Sequence, residues 1–141
     1  MTNISTDYQD IQIRTLTKWI NVQLKEDLVE SIGRDLRDGV MLLRLLSIVS
    51  NKPVLKPERG RMKIHAISNV SRALNFLKQE FEDDENLPVI ASEDIVNGDI
   101  KSTLAILFFI MLKYQFSDIL GETKADWQKQ KSDYFIGYGS N

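Results

Sequence analysis

Apolar residues along this chain recur at helical rather than strand spacing. Ile13, Leu16, Ile20 and Leu24 step by three and four with Trp19 beside them, which predicts an amphipathic helix over 10–25. Val40, Met41, Leu42, Leu45, Leu46 and Val49 predict a second, with Asp38 in the N-cap position and Gly39 after it. Pro53 and Pro57 end that helix in a loop. Ile67, Val70, Leu74, Leu77 and Phe81 share one face of a third helix over 63–81. Between the first two, residues 26–37 read as a connection around Gly33 in which Leu28, Val29 and Ile32 pack inward. A short helical turn over 92–96 directs Ile95 and Val96 inward, and Asp99 stands where it can cap the next helix.

That last helix, over 100–116, follows a different pattern. From Leu104 to Leu112 every residue is apolar, so no side of it suits water and the other elements are expected to wrap it. The pattern runs on to Phe116 without a turn residue, which argues against a buried strand. A membrane span needs about 18 or more apolar residues in succession, and Lys101, Ser102 and Lys113 interrupt this run. The flanks are polar. Residues 1–9 are expected to be a frayed, disordered N-terminus, residues 10–119 one domain, and residues 120–141 a linker or C-terminal extension of a larger protein. A helical turn at 124–131 and the tail from Tyr134 to Gly139 fall within that extension, and the tail has no legible role.

Charge redirects attention to local features. With 18 basic and 20 acidic residues the net charge is −2, so the molecule as a whole is not built to coat nucleic acid or an anionic membrane, and a basic site must be local. The absence of cysteine removes disulfides, thiolate metal sites and cysteine nucleophiles together. Residues 1–10 lack the basic start and apolar stretch of a signal peptide, which points to a cytoplasmic protein and leaves the sequons at Asn3 and Asn69 without meaning. Opposite the apolar face of the first helix lie Arg14, Lys18, Asn21 and Lys25, with no acidic residue between Ile11 and Lys25. Ile11 and Val22 flank that stripe, giving a mixed basic and apolar surface suited to a partner.

Other candidates read as structural. Arg59, Arg61 and Lys63 form a small basic cluster, most simply a solvated loop. Glu82 to Glu85 concentrate negative charge, but the ligand order of an EF-hand and the glycine at its sixth position are absent. His65 is the only histidine; with Asn69 four residues on, it is placed to hydrogen-bond where helices meet rather than to do acid–base chemistry. No glycine-rich phosphate loop, zinc-ligand set or nucleophile–base pair occurs, so neither an enzyme nor a cofactor is expected.

Four stretches resemble the signatures of calponin-homology domains, in order. Arg14-Thr15-Leu16-Thr17-Lys18-Trp19-Ile20-Asn21 is similar to the family's opening motif, and Asp35-Leu36-Arg37-Asp38-Gly39-Val40 to its second. His65, Asn69-Val70, Ala73-Leu74 and Phe76-Leu77 resemble the third, and Asp94 through Lys101 leading into Leu104 the fourth. The resemblance implies an all-α fold of four principal helices plus short connecting helices around a buried C-terminal central helix. It is strongest to the first domain of the tandem actin-binding modules of alpha-actinin, fimbrin, filamin and spectrin relatives. Carried over by position, it implies that actin filaments meet Arg14, Lys18, Asn21, Val22 and Lys25, and a second surface at Asn97, Asp99, Ile100 and Lys101 with exposed parts of the following helix. Within the same fold, a signalling protein or microtubules are alternative partners for a basic face. Leu16, Asp99, Ala105 and Phe108 stand where the family usually has phenylalanine, asparagine, glycine and tryptophan, and Asp99 adds a negative charge beside Lys101.

Overall fold

A computed structural model describes residues 4–53 and 56–120 of the chain, with side chains for residues 8–53 and 56–115. Six helices and no strand occur among the described residues: α1 (Ile4–Leu24), α2 (Ile32–Asp35), α3 (Val40–Ser50), α4 (Lys63–Glu80), α5 (Ser92–Val96) and α6 (Ile100–Leu120). The expectations for residues 1–3 and 121–141, including the turn at 124–131 and the tail, lie outside the described residues.

α6 packs against α1, α2, α3 and α5, while α4 packs on α3 and α5. Ile106, Leu107 and Ile110 of α6 are essentially inaccessible, as are Leu16 and Ile20 of α1 and Leu45 and Leu46 of α3. Each such side chain contributes about 1.5–3 kcal/mol by leaving water. At the far end of α6, Phe81 meets Phe109 and Tyr114 edge-on at 5.2 and 5.5 Å. Lys113 extends over the Phe109 ring and pairs with Asp84 at 2.6 Å, which ties down the acidic loop. Of the departures from the family pattern, Leu16 is fully buried and Phe108 is half-buried against the core.

Several expectations need correction. α1 begins at Ile4, so residues 4–9 are helical rather than frayed. No glycine or proline interrupts them, and extending a helix already pinned by Leu16 and Ile20 costs little. Residues 26–37 contain a helical turn, α2, and Leu28 is 41% exposed while Val29 and Ile32 are buried. α6 is not wrapped all round: Lys101, Ala105 and Leu112 are exposed and Phe108 half-buried, a strip at steps of four, three and four along its outer side.

The cap of α3 also differs. Gly39 occupies the N-cap at φ +76, and Asp38 one residue earlier still accepts the Val40 N–H at 3.0 Å. A Cβ at Gly39 would stand 2.6 Å from Asn69 Cβ and 2.8 Å from Val70 N, so α4 crosses too closely for any side chain. Asn69 is buried at that crossing. Its amide nitrogen donates to the Asp38 and Glu58 carbonyls at 2.9 and 2.8 Å, and its oxygen accepts the Glu58 N–H at 2.7 Å. His65 has a local role, its Nδ1 accepting the Met62 N–H at 3.3 Å at the start of α4.

Candidate interaction surface on the first helix

Burying Leu16, Trp19, Ile20 and Leu24 against α3 and α6 forces the other side of α1 outward. Tyr8, Ile11, Thr15, Lys18, Val22 and Lys25, at steps of three and four, are all exposed, with Arg14 beside them. Among the described residues Arg14, Lys18 and Lys25 make no ion pair. An open groove of about 650 Å³ runs along this side, lined by Ile13, Arg14, Thr17, Lys18, Asn21, Val22 and Lys25 of the helix region and by Glu26, Asp27 and Glu30 of the connector. Sequence reasoning missed the acidic side of the groove, because those residues meet the helix only once the chain reverses.

That reversal starts at Lys25, which adopts φ +60 and donates its N–H to the Val22 carbonyl at 3.2 Å. Asn21 then fastens the returning strand of chain: its amide donates to the Val29 carbonyl at 2.8 Å and accepts the Val29 N–H at 3.0 Å. Both polar atoms of Asn21 are thus engaged internally, unlike those of its basic neighbours. The connector is stiffened further by Asp35, whose carboxylate accepts the Glu30 and Ser31 N–H groups at 2.8 and 2.9 Å and pairs with Arg34 at 2.9 Å. The Arg34 hydrogen bond and the two backbone donors pull the Asp35 carboxyl down to about 2. Glu26 pairs with Arg44 at 3.3 Å and Glu30 with Arg34 at 3.6 Å, so Asp27 is the acid of the groove whose charge has no ion-pair partner among the described residues.

The second predicted segment lies at the turn from α5 into α6. Asn97, Asp99 and Lys101 are exposed and Ile100 half-buried. Gly98 holds φ +82, and a Cβ there would stand 3.2 Å from the Gly33 carbonyl oxygen, so α2 presses on this turn. The Arg37 guanidinium, absent from the sequence-derived site, donates through Nε to the Val96 carbonyl at 2.7 Å. Asp99 accepts the Ser102 hydroxyl at 2.7 Å through its carboxylate, and its carbonyl accepts the Thr103 N–H at 3.1 Å, the first backbone bond into α6. The two segments stand on α1 and on the α5–α6 turn, both of which pack on α6. Among the described residues no cluster of three metal-ligating side chains occurs, and no helix is long and apolar enough to cross a membrane.

Comparison with known proteins agrees with the motif reading. Residues 10–116 match the model of the calponin homology (CH) domain. The chain is 34% identical to the erythrocytic spectrin beta chain of Mus musculus over 131 residues, which cover 92% of this chain and 6% of that protein. It is 39% identical to alpha-actinin-1 of Homo sapiens and 38% identical to alpha-actinin-4 of Gallus gallus, each over 117 residues covering 81% of this chain and 13% of the relative. The chain therefore spans only a small part of these relatives' length. From its all-helical architecture and this match, the chain belongs to the calponin-homology family.

Proposed function

We propose that this domain is a non-enzymatic cytoskeletal module that binds actin filaments. The identity of the filament rests on the resemblance to the actin-binding modules of alpha-actinin and spectrin relatives. The observation that carries the docking surface is the exposed side of α1, where Arg14, Lys18 and Lys25 make no ion pair among the described residues and stand beside Ile11 and Val22. Cations steer the encounter with an acidic filament, and the apolar neighbours supply the dry contact. Asn97, Asp99, Ile100 and Lys101, with the strip through Ala105 and Leu112, form the second contact. Asn21 acts by holding the connector in place rather than by touching the filament. The working site is the cytoplasm, within a larger protein; a linked second module multiplies avidity by about 10²–10⁴, so one domain alone binds weakly.

Exposed ion pairs contribute about 0.2–1 kcal/mol each, so reversing two charges is the informative change. Arg14→Glu combined with Lys18→Glu is expected to abolish co-sedimentation with actin filaments while leaving the helical circular dichroism spectrum intact. Unchanged pelleting by a folded variant refutes the surface. Pelleting with microtubules in parallel separates the alternative partner, since acidic tubulin tails would also attract a basic face.

A further inference from the structure

Arg37 reaches the second surface from the turn between α2 and α3. Its Nε donates at 2.7 Å to the carbonyl of Val96, the last residue of α5, where no further helical turn supplies a partner. The side chain passes along Gly98: a Cβ at that glycine would stand 3.5 Å from Arg37 Cδ and 3.6 Å from Nε. Arg37 thus lies against the turn that carries Asn97 and leads into Asp99, Ile100 and Lys101. It is nonetheless exposed, and among the described residues neither Nη1 nor Nη2 has a hydrogen-bond or ion-pair partner.

Other arginines of this chain are differently placed. Arg34 is paired with Asp35 and Glu30, Arg44 with Glu26, and Arg72 with Glu58. At Arg37 the Val96 carbonyl needs one neutral N–H, which leaves the charge and the outer nitrogens unused within the domain. The backbone beneath is fixed on both sides. Leu36 is 1% exposed, the Gly39 N–H donates to the Leu36 carbonyl at 3.2 Å, and the Asp38 carbonyl accepts the Asn69 amide at 2.9 Å. A guanidinium whose backbone and Nε are already held has little freedom left to lose on docking.

On the filament reading proposed above, we infer that Arg37 is a further contact residue of the second surface and holds a carboxylate of the filament through its Nη pair. With Nε occupied, the fork that remains is the end-on one, in which two parallel N–H groups meet the two oxygens of one carboxylate. Asp94 and Asp99, both exposed, balance Arg37 and Lys101 in number, so this contact selects by placement rather than by net charge. A lysine at the same position would offer a point charge without the planar match.

The test is co-sedimentation of the 141-residue chain with actin filaments, titrated over filament concentration, for the parent, Arg37→Gln and Arg37→Lys, with the urea midpoint of each measured alongside. The glutamine amide nitrogen stands as many bonds from the backbone as Arg37 Nε, so Arg37→Gln can keep the Val96 bond while removing the charged fork. Arg37→Lys keeps a charge but puts carbon where Nε stood. Stability should therefore place Arg37→Gln near the parent and Arg37→Lys below it. Filament affinity should rank the two variants the other way, about tenfold weaker than the parent for Arg37→Gln and about threefold weaker for Arg37→Lys. An arginine that only caps α5 would leave Arg37→Gln pelleting like the parent and make Arg37→Lys the weaker binder. That outcome, or an equal loss in both variants, overturns the contact while the filament reading stands. A parent chain that stays in the supernatant at every filament concentration overturns the filament reading, and the Arg37 contact with it.

Discussion

Asn21 separates contact from positioning on the α1 surface. Its amide grips both polar groups of Val29 at 2.8 and 3.0 Å, and Val29 is 2% exposed. Asn21→Ala removes both partners at once. An intramolecular hydrogen bond is worth about 0.5–1.5 kcal/mol net, so the loss should be about 1–3 kcal/mol, against a total of about 5–15 kcal/mol for a domain of ordinary stability. The variant therefore folds, but the connector bearing Glu26, Asp27 and Glu30 is released from α1. In urea, with a slope of about 1–3 kcal/mol per molar for a small protein, the midpoint should fall by roughly 1 M at unchanged slope. Filament pelleting at low temperature, where the variant is fully folded, should fall less than it does for Arg14→Glu with Lys18→Glu. A midpoint indistinguishable from the parent's, combined with lost pelleting, would show that Asn21 touches the partner directly and that the clamp contributes nothing.

Two further outcomes follow from other polar contacts. Asn69→Ala deletes three hydrogen bonds at the crossing of α3, α4 and the loop at Glu58, and at about 1 kcal/mol each should cost roughly 2–4 kcal/mol. The thermal midpoint should drop by on the order of 10 °C, and a drop of only ~2 °C would mean that water replaces the amide. Asp35 supplies a pH signature: its carboxyl is held at about 2, below the usual 3.8, chiefly by Arg34 and then by the Ser31 and Glu30 N–H groups. The folded state then holds fewer protons than the unfolded one between about pH 4 and pH 2, so its contribution is complete above pH 4 and is lost as pH falls through that window. The stability difference between parent and Asp35→Asn should shrink from pH 5 to pH 2, and a constant difference refutes the assignment.

The positions of α1, α3 and α4 are legible because each carries its own periodicity, and that of α6 because its apolar run is unbroken. Residues 92–96 were placed correctly from Ile95 and Val96 alone, and the core face of α1 from four apolar residues. What could not be read depended on residues far apart in sequence. Asp38 has the side chain of an N-cap, yet Gly39 takes the position because α4 passes within contact distance, and only the fold brings Asn69 there. Leu28 looked like a core residue by hydrophobicity, but the Asn21–Val29 clamp fixes its neighbour inward and leaves it 41% exposed. The unbroken apolar run of α6 signals a central helix correctly and overstates its burial, since composition says nothing about whether a neighbour is available for the Leu112 side. The candidate site was half visible for the same reason. The cations of its first surface recur at helical steps along one stretch of chain, whereas the acids that line the same groove arrive through the connector.

The acids change how the α1 surface must work. A stripe of three cations would pull strongly on an acidic filament if it stood alone, but Asp27 lies along the same groove and Asp99 stands two residues from Lys101. One unpaired acid offsets part of the charge of three cations, and salt screens the remainder beyond a Debye length of about 8–10 Å, so on the proposed function long-range steering is modest and the cations act chiefly at contact, where they select orientation. Affinity then has to come from apolar area. The exposed apolar residues fall where that demands: Ile11 and Val22 flank the cations of α1, and Leu112 continues the line from Lys101 along α6. At about 25 cal/mol per Å², covering such side chains outweighs any single exposed ion pair of about 0.2–1 kcal/mol. On the proposed function, the cations of α1 would register an apolar contact rather than supply most of the binding energy.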